Sequence, residues 1–166
     1  MSIAEAVAAA GQYLTEHPEE ARYRDSAATA RITAGLMTTV TGPGGERVTT
    51  DMPKGIGGTA SSTSPGWLFR AATASCVASL VAIRAASEGM DLRSVEVTVD
   101  SESDDRGILG LDPSIPAGAL SVTVVVALDA PGLTPEARRS LVDWAIGHCP
   151  VTDSIARAVP VTVEVG

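Results

Sequence analysis

The sequence predicts an α+β domain in which a mainly antiparallel sheet embraces a buried helix. Three observations carry that expectation. Apolar residues alternate with polar ones along several short segments. A glycine-rich turn, Gly42-Pro43-Gly44-Gly45, joins two of these segments as a hairpin. One segment, from Ser64-Pro65 to Gly89, is apolar nearly all round a helical wheel.

Taken in chain order, Ser2-Ile3-Ala4-Glu5 has the spacing of a capping box. Ile3, Val7, Ala10 and Leu14 then recur at helical intervals until His17-Pro18 stops the pattern. From Ala28 to Val40 the even positions are mostly apolar and the odd ones carry Thr29, Arg31, Thr33 and Thr39, which predicts one long half-buried strand. The turn at 42–45 returns it into Arg47-Val48-Thr49-Thr50. Gly55-Ile56-Gly57-Gly58 lacks the Gly-Lys-Ser/Thr of a phosphate cradle and reads as a loop.

Ser64 caps, and Pro65 opens, a helix of ~35 Å that Gly89 closes and that should be central and buried. Val95, Val97 and Val99 form one further strand, and Leu120, Val122, Val124, Val126 and Leu128 another, each with a wet face. The stretch from Ser101 to Ala117 between them is a loop. Thr134-Pro135-Glu136 starts a second helix with Ala137, Leu141, Ala145 and His148 on one face. Cys149-Pro150 restarts a short helix through Ala158, and Val159, Val161, Val163 and Val165 end as a strand whose Pro160 suits an edge.

A chain of 166 residues encloses a sizeable core as one domain. With 45% hydrophobic but only 3% aromatic residues, that core must be packed by small aliphatic side chains. The net charge of −8 opposes nucleic-acid and anionic-membrane binding, and Arg138-Arg139, the single adjacent basic pair, reads as a solvated helix face. Without a basic leader or an unbroken apolar run near ~20 residues, a soluble cytoplasmic protein is expected, with no membrane partner.

Two cysteines carry the chemical interest. Cys76 falls on the stripe Phe69, Ala72, Cys76, Leu80, Ile83, where it is an ordinary buried thiol unless a cation or donor stabilises its thiolate. Cys149, with Pro150 behind it, sits at an N-cap, where backbone N–H groups favour an anion; it is equally suited to be a plain cap. His148 is either a thiolate partner or a helix-end histidine. His17, Cys76, His148 and Cys149 lack the paired short spacings of a zinc site, so no metal is expected. Two thiols in a reducing compartment would bond reversibly rather than as a staple.

The stretches Gly57-Gly58-Thr59, Ser64-Pro65, Leu68 to Cys76, Gly89-Met90-Asp91-Leu92, His148-Cys149-Pro150-Val151 and Val159-Pro160-Val161 together resemble the OsmC/Ohr superfamily, which includes thiol-dependent organic hydroperoxide reductases. The resemblance runs from residue 26 to 166, leaving 1–25 as a helical extension. It implies an intertwined homodimer, with long central helices packed together and sheets wrapped outside. It further implies that Cys76 attacks a small-molecule hydroperoxide to give a sulfenic acid, that Cys149 resolves it as a disulfide, that a small dithiol restores both thiols, and that no cofactor is needed. Relatives that are active peroxidases carry a glutamate after the helix-start proline, paired with a hairpin arginine. Here Gly66 follows Pro65, Arg31 is the nearest hairpin arginine, and Arg70 points away from Cys76 on its helix. The resemblance therefore leaves two expectations: a peroxidase using Cys76 and Cys149 with Arg31 and His148 as thiolate stabilisers, or a non-catalytic dimer binding a small apolar ligand.

Overall fold

The reciprocal N-terminal cap forms as its spacing requires. The Ser2 amide donates to Glu5 Oε2 at 2.6 Å and the Glu5 amide to Ser2 Oγ at 3.2 Å, opening α1 (Ile3–Glu16). The structure, a computed structural model, describes every residue from Met1 to Gly166. It groups into two compact units, residues 11–71 and residues 1–10 with 72–166.

In the first unit, β1 (Thr29–Ala34), β2 (Met37–Thr41) and β3 (Arg47–Thr50) form an antiparallel meander in the order β1-β2-β3. The single strand expected over 28–40 is thus two strands, reversed at Gly35, whose φ of +55° suits a residue without Cβ. A bulge between Ile32 and Ala34 explains why one period of two ran through the turn. It restores parity, so Ala30 faces Val40 and Ile32 faces Thr38, and even positions of both strands share a side. The half-burial expected for this stretch holds for β2 only, since β1 is exposed along its length.

The helix α2 (Pro65–Ser87) is capped by Ser64, whose Oγ accepts the Trp67 amide at 3.1 Å. It ends in a Schellman arrangement: Gly89 at φ +65° donates to the Ala86 carbonyl and Met90 to the Ala85 carbonyl. Its expected all-round burial is corrected by the structure. One stripe alone, Thr73, Val77, Val81 and Ala85, is buried, because a single chain supplies cover to one side of the helix. With a mean hydropathy of 1.5 over 18 residues, the helix is long and apolar enough to cross a membrane by length and composition; its hydroxyl residues and arginines interrupt the run without lowering that mean below a span's.

In the second unit, β4 (Ser94–Glu102) pairs antiparallel with β5 (Ser121–Asp129), Val95 opposite Leu128 and Val97 opposite Val126. Alternate residues of both strands are half-buried, as the pattern requires. Between them Asp104 caps a single turn, α3 (Asp105–Ile108). Then come α4 (Pro135–His148), capped by Thr134, and α5 (Pro150–Ala156). The core joins Val77, Val81 and Ala85 of α2, Leu141 and Ala145 of α4, and Cys149, with the valines of β4 and β5 packed against them. Fully burying Val77, Val81 or Leu141 contributes roughly 1.5–3 kcal/mol each, and an alanine less. The expected C-terminal strand is not paired: Val161, Val163 and Val165 are 85%, 78% and 93% exposed. Alternation prepares a segment for a sheet, but a ladder needs a free edge within reach.

Candidate functional site

Both thiols belong to one packed cluster. Cys76 on α2 is half-buried, Cys149 at the α4–α5 junction is completely buried, and neither is in a disulfide. Residues that lie 73 apart in sequence meet because α2 and α4 pack through Val77, Val81, Leu141 and Ala145, and because α4 stops at His148, leaving Cys149 at the junction ahead of Pro150. The two thiols lie close enough for each to shift the acidity of the other.

Their environments push them apart electrostatically. Burial raises the Cys76 thiol and the neighbouring Cys149 raises it further, against a smaller lowering by the Val151 amide. Burial also acts to raise Cys149, but the Cys76 thiol, the Thr152 amide and hydroxyl, and the Val151 amide together bring it below the ordinary thiol value. Cys149 makes no short side-chain cap of the kind an oxygen makes, as expected for a larger atom with longer bonds. Cys149 is therefore the better thiolate of the pair.

The remaining predicted residues fall as follows. His148 is exposed; its Nδ1 lies 2.8 Å from the Trp144 carbonyl, which makes Nδ1 the donor, and its ring stacks on Trp144 at 4.2 Å. Arg84 covers the same indole at 4.9 Å and pairs with Glu88. Arg31 is exposed on β1 in the other unit, opposite Thr39. A Cβ at Gly66 would meet nothing nearer than 3.9 Å, so nothing steric demands glycine there. His17, Glu19 and Glu20 bring ligand atoms together at the surface, where Glu20 accepts the Tyr13 hydroxyl.

β5, α4 and α5 enclose an open-sided groove of about 780 Å³, lined by Val122, Val124, Val126, Val142, Ile146 and Ile155, with Thr152 in its wall and neither cysteine in its lining. Arg138 at its rim is not the solvated residue expected. It is partly buried and donates to the carbonyls of Leu128 and Ala130, each at 2.9 Å, and Leu133 at 3.3 Å, while Arg139 is exposed and pairs with Asp143 at 2.8 Å.

Sequence reasoning missed Thr152 at the thiol pair and Asp51 in the first unit. Asp51 is 2% exposed, and its carboxylate accepts from the Met52, Thr59 and Ser61 amides and the Thr59 and Ser61 hydroxyls at 2.5–3.1 Å. These bonds, the Thr59 hydroxyl foremost, hold its pKa well below the carboxylate range. They clamp the loop containing Gly55–Gly58, where a Cβ on Gly58 would overlap the Met52 carbonyl. The loop reading of these glycines stands, with close backbone approach as its reason.

The fold is that of an α+β protein with two free thiols packed in one cluster. The family model for OsmC-like proteins matches residues 58–164, more than half of the chain, and the chain belongs to that family. Among solved structures it is similar to an organic hydroperoxide resistance protein of Legionella pneumophila, with 24% identity over 81% of this chain and 90% of that one and a TM-score of 0.59. It is similar also to an OsmC-like protein of Mycoplasma pneumoniae, with 14% identity over 81% and 89% and a TM-score of 0.69. A third is the organic hydroperoxide resistance protein OhrB of Bacillus subtilis, with 21% identity over 79% and 90% and a TM-score of 0.52. No curated protein matches the chain.

Proposed function

We propose that this protein is a thiol-dependent peroxidase acting on organic hydroperoxides. The observation that carries the reading is the packing of Cys76 and Cys149 into one core cluster inside an OsmC-like domain. The Cys76 thiolate attacks the O–O bond; the sulfur is oxidised to a sulfenic acid and the peroxide leaves, after gaining a proton, as an alcohol. Cys149 then displaces the sulfenic oxygen as water, forming the disulfide, and a small dithiol exchanges with that disulfide to return both thiols. Because Cys76 is the less acidic thiol as it stands, its activation calls for an added cation. Arg31 and His148 are the candidates, and replacement of each by glutamine tests them by the pH profile of turnover.

The test is to count thiols before and after one equivalent of cumene hydroperoxide and to assay the alcohol. Loss of both thiols with a Cys76–Cys149 bond and release of cumyl alcohol supports the reading; unchanged thiols reject it. A second reading, a non-catalytic dimer binding a small apolar ligand, is favoured by Gly66 and by the aliphatic groove along β5. It expects unchanged thiols together with displacement of an apolar fluorescent probe from the groove.

A homodimer belongs to this proposal. The uncovered sides of α2 and the exposed valines 161, 163 and 165 leave more apolar surface bare than one chain can hide. A light-scattering mass near that of one chain would reject it. Membership of a family of soluble fold supports a cytoplasmic location, with α2 as a core helix rather than a span. Partition into the soluble fraction after cell lysis checks this.

A further inference from the structure

We propose that Thr152 is a positioning residue of the thiol pair: its hydroxyl bridges the α4–α5 corner and holds the Cys149 sulfur against Cys76. The corner needs such a bridge for a covalent reason. In an uninterrupted helix the Ile146 carbonyl would accept the amide of residue 150, but that residue is Pro150, which has no N–H. The carbonyl would be orphaned beside the core. Thr152 Oγ1 takes the missing place, donating to Ile146 O at 2.7 Å, and lies 3.1 Å from Cys149 O, so one hydroxyl hydrogen serves both the last turn of α4 and the cap of α5. The Cys149 carbonyl also accepts the Asp153 amide at 2.9 Å, which starts α5. Cys149 is thereby gripped on both sides of the break, fully buried, with its sulfur facing the Cys76 thiol.

Held in this place, the Thr152 amide and the hydroxyl dipole lie beside the Cys149 sulfur and favour its thiolate. Thr152 therefore works through Cys149. Its role in turnover rests on the peroxidase reading above, whereas its effect on Cys149 does not. The groove wall it occupies brings this control point next to the aliphatic lining of β5.

The experiment is a titration of the reduced, full-length protein by the ultraviolet absorbance of its thiolates, with no peroxide present. Thr152→Val keeps the shape and removes the donor; Thr152→Ser keeps the donor and removes a methyl. The first titration midpoint is expected to move up in Thr152→Val, by about fivefold in the dissociation constant for one lost hydrogen bond, and to stay near wild type in Thr152→Ser. Thr152→Ala gives the same reading if the valine variant does not fold. A midpoint unmoved in the hydroxyl-free variants, even with lowered thermal stability, overturns the proposal and leaves Thr152 a purely structural tie. Because no peroxide enters the titration, a moved midpoint in a protein that releases no alcohol would uphold this role while rejecting the peroxidase.

Discussion

Oxidation should leave a large mark on stability. If one equivalent of hydroperoxide joins Cys76 to Cys149, the bond closes a loop of about 74 residues in the unfolded chain. The chain-entropy relation then gives about 4.4 kcal/mol of stabilisation at room temperature, provided the folded state takes the bond without strain. The structure supports that proviso, since both thiols belong to one packed cluster in the reduced protein. With a urea dependence of about 2 kcal/mol per molar for a chain of this size, the midpoint should rise by about 2 M. The assay is urea unfolding followed by circular dichroism, on oxidised and reduced protein at one concentration so that association is held constant. Cys149→Ser treated with the same peroxide should show no rise. An oxidised protein that has lost both thiols yet unfolds at the reduced midpoint would refute the reasoning, because the two sulfurs would then not be closing this loop.

Three further predictions follow from packing and charge. Leu141→Ala opens the core where α4 meets α2, at a residue 2% exposed, and should cost about 3 kcal/mol in urea unfolding. Asp51→Asn should flatten the acid side of the stability profile. The folded carboxylate has a lowered pKa, so its contribution is complete above the unfolded value of about 4 and fades as pH falls through and below it; thermal melts from about pH 3 to about pH 7 should lose part of their slope in the variant. Gly66→Glu has room for its side chain, replaces a helical glycine, and sets an acid in the first turn of α2 four residues before Arg70; it should stabilise the protein by about 1 kcal/mol in the same unfolding assay.

Most of the element order was legible because it rests on local rules. Ser2 and Glu5, Ser64 with Pro65, and Thr134 with Pro135 announce helix starts through donors that only caps can satisfy, and each cap forms. The valines of β4 and β5 show their period of two and fall on a half-buried side. The break at Gly35 was hidden for an equally local reason: the bulge and the turn together preserve parity, so the pattern of residues 28–40 looks unbroken. Arg138 misled because an arginine beside another reads as surface, while its role depends on three carbonyls at the end of β5 and the turn beyond. Asp51 was silent because its five donors come from residues whose approach is decided by a loop.

The order of helices and strands, the caps, the proline breaks and the presence of exactly two thiols are written along the chain, since each depends on residues within a few positions of one another. What tertiary packing decided is how those parts act. It put Cys76 and Cys149 in contact, made Cys149 rather than Cys76 the more acidic, and recruited Thr152 for a carbonyl that Pro150 cannot satisfy. Acidity depends on which dipoles and surfaces surround a sulfur in space, and residues 73 positions apart acquire that relation only when the helices carrying them pack.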